Sequence, residues 1–124
     1  MRLGDSQDES EFRAQLRRWL RGQIPAGVPQ AWDSEQLRSW SKALYQAGYA
    51  GLSWPVEHGG RGLPPAYQAI YAEESAGAGA PDHVNVIGLN MVGPTIIRYG
   101  TEAQRAQFLP RILSGETIFC QGFS

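Results

Sequence analysis

Apolar positions recur at helical spacing along most of this chain. Phe12, Leu16, Trp19 and Leu20 fall at i, i+4, i+7 and i+8, one face of a helix. Ser6 with Glu9 three residues on has the form of a capping box. Arg17, Arg18 and Arg21 crowd the last turn, where the helix dipole favours cations, and Gly22 and Pro25 end the run. A second stripe of Leu37, Trp40 and Leu44 is opened by Asp33 as N-cap, with Glu35 in the first turn, and closed by Gly48. A third helix starts at Pro64 or Pro65, since proline suits a first turn, and turns Ala66, Ile70, Tyr67 and Ala69 inward. The stretch "HVNVIGLNMVGPTIIRYG" differs, because its Val84, Val86, Ile87, Leu89, Met91, Val92, Ile96 and Ile97 keep to no single face. That pattern predicts a central helix from about Val84 to Arg98, the most buried element, kinked at Pro94. Thr101 and Gln104 open a fifth helix, which Pro110 should bend or from which it should split off a last short turn.

The pattern changes at the end. "TIFCQGFS" alternates, and its Ile118, Phe119 and Phe123 are strand formers. The glycine-rich "YAGLSWPVEHGGRGLPP" reads as a loop. The expected fold is therefore all-α, a five-helix orthogonal or up-down bundle with one short C-terminal β-strand, preceded by a flexible N-terminus over residues 1–7. A lone strand poses a problem, since an unpaired apolar edge invites aggregation.

Composition narrows the function classes. The 124 residues carry a net charge of −1, from 11 basic and 12 acidic side chains, which argues against nucleic acid or an anionic membrane as the main partner. The single cysteine, Cys120, rules out a disulfide framework within one chain and points to a reducing compartment. The polar start "MRLGDSQDESEF" has no signal-peptide core, and no apolar run has the length of a membrane span. A soluble, cytoplasmic protein is expected.

The chemistry-bearing residues mostly have plain roles. His58 and His83 lack partners at ligand spacing, so no metal site is expected. Glu73 and Glu74 are adjacent, point to different helix faces and cannot work as an acid–base pair, though one can satisfy a neighbouring arginine. "HGGRG" lacks the Gly-Lys-Ser/Thr ending of a phosphate loop and reads as a tight turn, with Trp54 anchoring the loop to the core. Cys120 has no adjacent base or cation and reads as a small apolar residue. Gly88, Asn90 and Gly93 stand out on the central helix. Glycine costs about 1 kcal/mol in a helix interior, so something approaches the backbone there, either a neighbouring helix or a ligand.

Four segments, taken in order, resemble the N-terminal domain of the acyl-CoA dehydrogenases: "GLSWPVEHGGRGLPP", "YAEESAGAGAP", "GPTIIRYGTEAQRAQFLPRILSGE" and "CQGFS". No one piece is diagnostic, and the match rests on their order and spacing over roughly residues 8 to 124. The resemblance implies a helical domain over residues 8–115 and, over residues 116–124, the first strand of a flavin-binding middle β-domain. It implies that the middle domain and a C-terminal helical bundle that usually supplies the catalytic glutamate are missing, so no catalytic residue is assigned in this chain.

What the resemblance implies for activity is α,β-dehydrogenation of an acyl-CoA thioester with FAD as cofactor and electron-transfer flavoprotein as acceptor, in a homo- or heterotetramer. By motif position, the Phe123 backbone would bond the pyrimidine edge of the flavin, the Ser124 hydroxyl would sit near N5, and Gln121 would stand beside the ring. The acyl pocket would draw on Val86, Leu89, Asn90 and Gly93, with room for a branched or sterol-derived acyl group. Two readings follow: the N-terminal part of such an enzyme, inactive alone, or a standalone or complementing helical interaction module built on the same domain.

Overall fold

A computed structural model describes residues 4–24 and 31–119. It contains five α-helices: α1 (Gln7–Gln23), α2 (Ser34–Gln46), α3 (Pro65–Ala78), α4 (Gly93–Tyr99) and α5 (Glu102–Ser114). A 3-10 turn, Val56–His58, lies in the glycine-rich loop, and a π-helical turn, Gly88–Val92, runs directly into α4. Among the described residues there is no β-strand. The helices fall into two compact units, one holding α1 and α3, the other α2, α4, α5 and both short turns.

The helix starts follow the capping chemistry of the sequence. Ser6, Asp33 and Thr101 each accept a bond from the backbone three residues on, while Glu9, Gln36 and Gln104 reach back to the cap backbone. Pro65 opens α3 at its first position. Gly22 does not end α1, which continues to Gln23, and Pro110 does not split α5, which runs unbroken to Ser114.

In the first unit Phe12, Leu16, Leu20, Ile24 and Ile70 are buried, and Phe12 meets Tyr67 edge to face with ring centroids 5.1 Å apart. Trp19 and Tyr67 are half-buried, whereas Ala66 and Ala69 are exposed. Arg13 is buried on α1 and holds three carboxylates. Its Nε donates to Asp5 at 2.8 Å, and its Nη1 donates to Glu73 at 3.0 Å and Glu74 at 2.8 Å. Arg17 forks onto Glu74 at 2.8 and 3.0 Å.

The core of the second unit is Ala50, Trp54, Leu109, Ile112 and Leu113, with Leu89, Val92, Ile96, Ile97, Phe108 and Phe119 packed against it. Its centre is α5 and Trp54, not the Val84–Arg98 stretch expected from the apolar pattern. Val86 is 41% and Met91 52% exposed. A run that is apolar all round does not require cover all round; here one side packs and the other stays open.

Pro94 also behaves differently from a simple kink. Within the π-helical register, residue 94 would donate to the carbonyl of Leu89, and proline has no donor. The indole N–H of Trp54 supplies it instead, at 3.0 Å.

The strand expected over 116–124 is absent where it can be described. Residues 116–119 are bends and irregular chain, and the Phe119 N–H bonds the side chain of Asn85 at 2.9 Å in place of a ladder partner. Cys120 to Ser124 lie outside the described residues.

Candidate functional site

The helix that begins at Val86 has two chemically distinct sides. Leu89 and Gly93, four residues apart, face the core of their unit. Leu89 packs on the Trp54 cluster, and a Cβ on Gly93 would lie 2.2 Å from the Trp54 ring. Val86 and Asn90, also four apart, are exposed, with Met91 beside them. The four residues expected at an acyl pocket are thus split into an inward pair and an outward pair. The space at both glycines is filled by side chains of the same unit: Trp54 at Gly93, and Asn85, 2.4 Å from a Cβ on Gly88. Gln121 and Phe123, with Ser124, the residues expected to face a flavin, lie outside the described residues.

Immediately before this helix, three consecutive residues plug the C-terminal end of α5. The buried His83 ring lies 2.8 Å from the Leu113 carbonyl through Nε2, and its Nδ1 accepts the Asn85 N–H at 2.9 Å. A carbonyl can only accept, so His83 is the neutral Nε2–H tautomer. Burial holds its pKa below the ordinary histidine value, partly offset by the bond to Leu113. The Val84 N–H donates to Ser41 Oγ of α2 at 2.8 Å. The fully buried Asn85 side chain donates to the carbonyls of Ile112 at 3.2 Å and Thr117 at 2.7 Å. Gly115 ends α5 at φ +81°, and a Cβ there would press on Val84 at 2.9 Å and Ser41 at 3.1 Å.

Sequence reasoning passed over Asn85 and Ser41. The available signal was a polar residue three positions before Gly88, at the mouth of an apolar helix. It also gave His83 no role beyond ruling out a metal site, whereas it is a buried cap on another helix.

The remaining candidates are structural. Glu73 and Glu74 do converge, contrary to the expectation from adjacent helix positions, because one long guanidinium reaches both. The bonds to Arg17, then Arg13, hold Glu74 below the usual carboxylate range against the opposing effect of burial. The Arg13 pKa is raised, first by its bond to Asp5. Among the described residues no three His, Cys, Asp or Glu side chains could share a metal ion, and no helix is long and apolar enough to cross a membrane. A cleft of about 390 Å³ opens between α2, the 3-10 turn and α5, lined by Tyr45, Glu57, His58 and Arg105 among others. It includes none of the residues expected at the site.

Residues 6–116 match the acyl-CoA dehydrogenase N-terminal domain. The chain is 43% identical to acyl-CoA dehydrogenase IpdE1 of Mycolicibacterium smegmatis over 126 residues, covering 92% of this chain and 32% of that protein. Against the crystal structure of the ChsE4-ChsE5 complex from Mycobacterium tuberculosis the TM-score is 0.78 at 34% identity, covering 94% of this chain and 30% of that one. Against the Tcur3481-Tcur3483 steroid ACAD the TM-score is 0.74 at 36% identity, covering 95% and 32%. The chain thus spans about a third of the length of the relatives it matches. With the capped helices, the Trp54 loop and the α5 terminus in this arrangement, it belongs to the acyl-CoA dehydrogenase N-terminal domain family.

Proposed function

We propose that the protein carrying this chain is an FAD-dependent acyl-CoA dehydrogenase for a bulky, ring-bearing acyl-CoA, and that this chain supplies part of its acyl and flavin pocket. The observation that carries the reading is the two-sided helix at Val86. Its inward side is locked by Trp54 and Asn85, and its outward side leaves Val86, Asn90 and Met91 exposed. Such a surface fits an aliphatic or ring-bearing acyl group. The steroid ACAD among the similar structures supports the same substrate class.

FAD, when bound, supplies the acceptor for the hydride leaving the β-carbon. The residues of this chain that would hold it are Gln121, Phe123 and Ser124, with the Phe123 backbone on the pyrimidine edge and the Ser124 hydroxyl near N5. What the described residues offer toward that group is a fixed approach, since Asn85 ties down Phe119 just before the motif. The base that takes the α-proton is not assigned to this chain. Glu74 is unsuited to it, because its two arginines favour the ionised form and lower its proton affinity. The ChsE4-ChsE5 complex supports an assembly of two different chains, and electron-transfer flavoprotein is the proposed acceptor.

The test is anaerobic flavin bleaching by the purified gene product with a panel of acyl-CoAs. Ring-bearing thioesters should bleach the flavin faster than straight-chain ones. A product that binds no flavin, or a flavin that no acyl-CoA bleaches, would refute the reading.

A further inference from the structure

We infer that Asn85 is a positioning residue: it fixes Thr117–Phe119 in a set register against the helix that presents Val86 and Asn90. The side chain is fully buried and works in two directions. Its amide nitrogen donates to the carbonyls of Ile112 and Thr117, and its oxygen accepts the Phe119 N–H. Two carbonyls and one N–H around a single planar group fix the amide orientation. They also require an asparagine: aspartate has no donor, and glutamine is a methylene too long for the space. The backbone of Asn85 is held as well, its N–H by His83 and its carbonyl by the Leu89 N–H at 2.9 Å. Gly88 leaves the room the side chain occupies.

The plainer reading makes Asn85 a cap for α5. A cap needs only the last helical carbonyls, and His83 already takes Leu113. Only the Ile112 bond of Asn85 belongs to that task. The other two lie beyond Gly115, on chain that has left the helix, and Thr117 is held there a second time by its N–H to the Arg111 carbonyl at 3.1 Å. One side chain therefore joins the mouth of the Val86 helix to the exit segment. In an enzyme whose acyl group lies on the first and whose flavin lies on residues that follow the second, that joint sets their spacing. A small misplacement there costs rate steeply. This role rests on the function proposed above.

The test uses the 124-residue chain with its single cysteine removed by Cys120→Ser, and nitroxide labels at Ile118→Cys and Asn90→Cys, both on exposed positions. The distance distribution between them should be narrow, and at least about twofold broader in Asn85→Ser. It should stay unchanged in Ser41→Ala, which breaks the neighbouring Val84 bond but not the exit. If Asn85→Ser fails to fold, amide exchange of the unsubstituted chain decides: the Phe119 N–H, which has no ladder partner, should exchange at least about tenfold more slowly than an unprotected amide. A distribution unaffected by Asn85→Ser, or an unprotected Phe119 amide, would overturn the inference. A gene product without flavin would instead overturn the functional reading and the role built on it, so the two failures show in different measurements.

Discussion

Gly93→Ala sets two known effects against each other, and the structure decides the sign. On helix propensity alone, alanine should stabilise α4 by about 1 kcal/mol. The new methyl, however, would lie 2.2 and 2.5 Å from Cζ2 and Cη2 of Trp54 and 3.0 Å from the Gly88 carbonyl oxygen. The indole cannot swing aside without losing contacts. It is 4% exposed, sits in the α5 core, and its N–H holds the Leu89 carbonyl that Pro94 leaves without a donor. Overpacking of a closed core costs about 1–3 kcal/mol, and loss of the indole bond adds about 1 kcal/mol. Less the propensity gain, Gly93→Ala should destabilise by about 1–3 kcal/mol. Urea unfolding of the chain measures it, and a double-mutant cycle with Trp54→Phe assigns the cause. Phenylalanine removes the part of the indole that the methyl meets, so the double mutant should be more stable than the sum of the single losses by about 1–3 kcal/mol. A neutral or stabilised Gly93→Ala, or strict additivity with Trp54→Phe, would refute the wedge.

Stability should fall as pH drops below the ordinary histidine value near 6.5. Folded His83 resists protonation, so the unfolded chain binds more protons in that window, and the stabilisation present above it is lost in acid. His83→Gln should flatten this part of the stability profile, and an unchanged slope would remove His83 as its source. In the first unit, Arg13→Ala takes a side chain only 9% exposed away from the nearly buried Asp5 and removes one of the two arginines on Glu74, and should cost about 3 kcal/mol. Arg17→Ala, at 52% side-chain exposure, should cost less than about 1 kcal/mol. Equal losses in thermal unfolding would show that burial does not separate the two arginines.

Local chemistry carried most of the elements. Each capping box is complete within four residues, so Ser6, Asp33 and Thr101 marked their helices before any packing was known. Pro65 and Gly48 did the same through fixed or permitted backbone angles. Trp54 was legible as an anchor because a tryptophan in a glycine-rich loop has few other uses. The order and spacing of four motifs made the family resemblance legible.

Other features depend on residues far apart in sequence, and only the tertiary structure could decide them. Apolar residues on every side of the Val86–Tyr99 stretch did not reveal which side would be covered, because burial belongs to the neighbours and not to the helix. Glu73 and Glu74 were expected to point apart, and Arg13, sixty positions away, gathers both. The expected strand lacks a ladder among the described residues because strand structure is a property of a pair, and Asn85 takes the Phe119 N–H that a partner would need. Asn85 itself shows the limit most clearly. In the sequence it is one polar residue before an apolar helix; its three side-chain bonds reach residues 27, 32 and 34 positions away, a separation that no local pattern encodes.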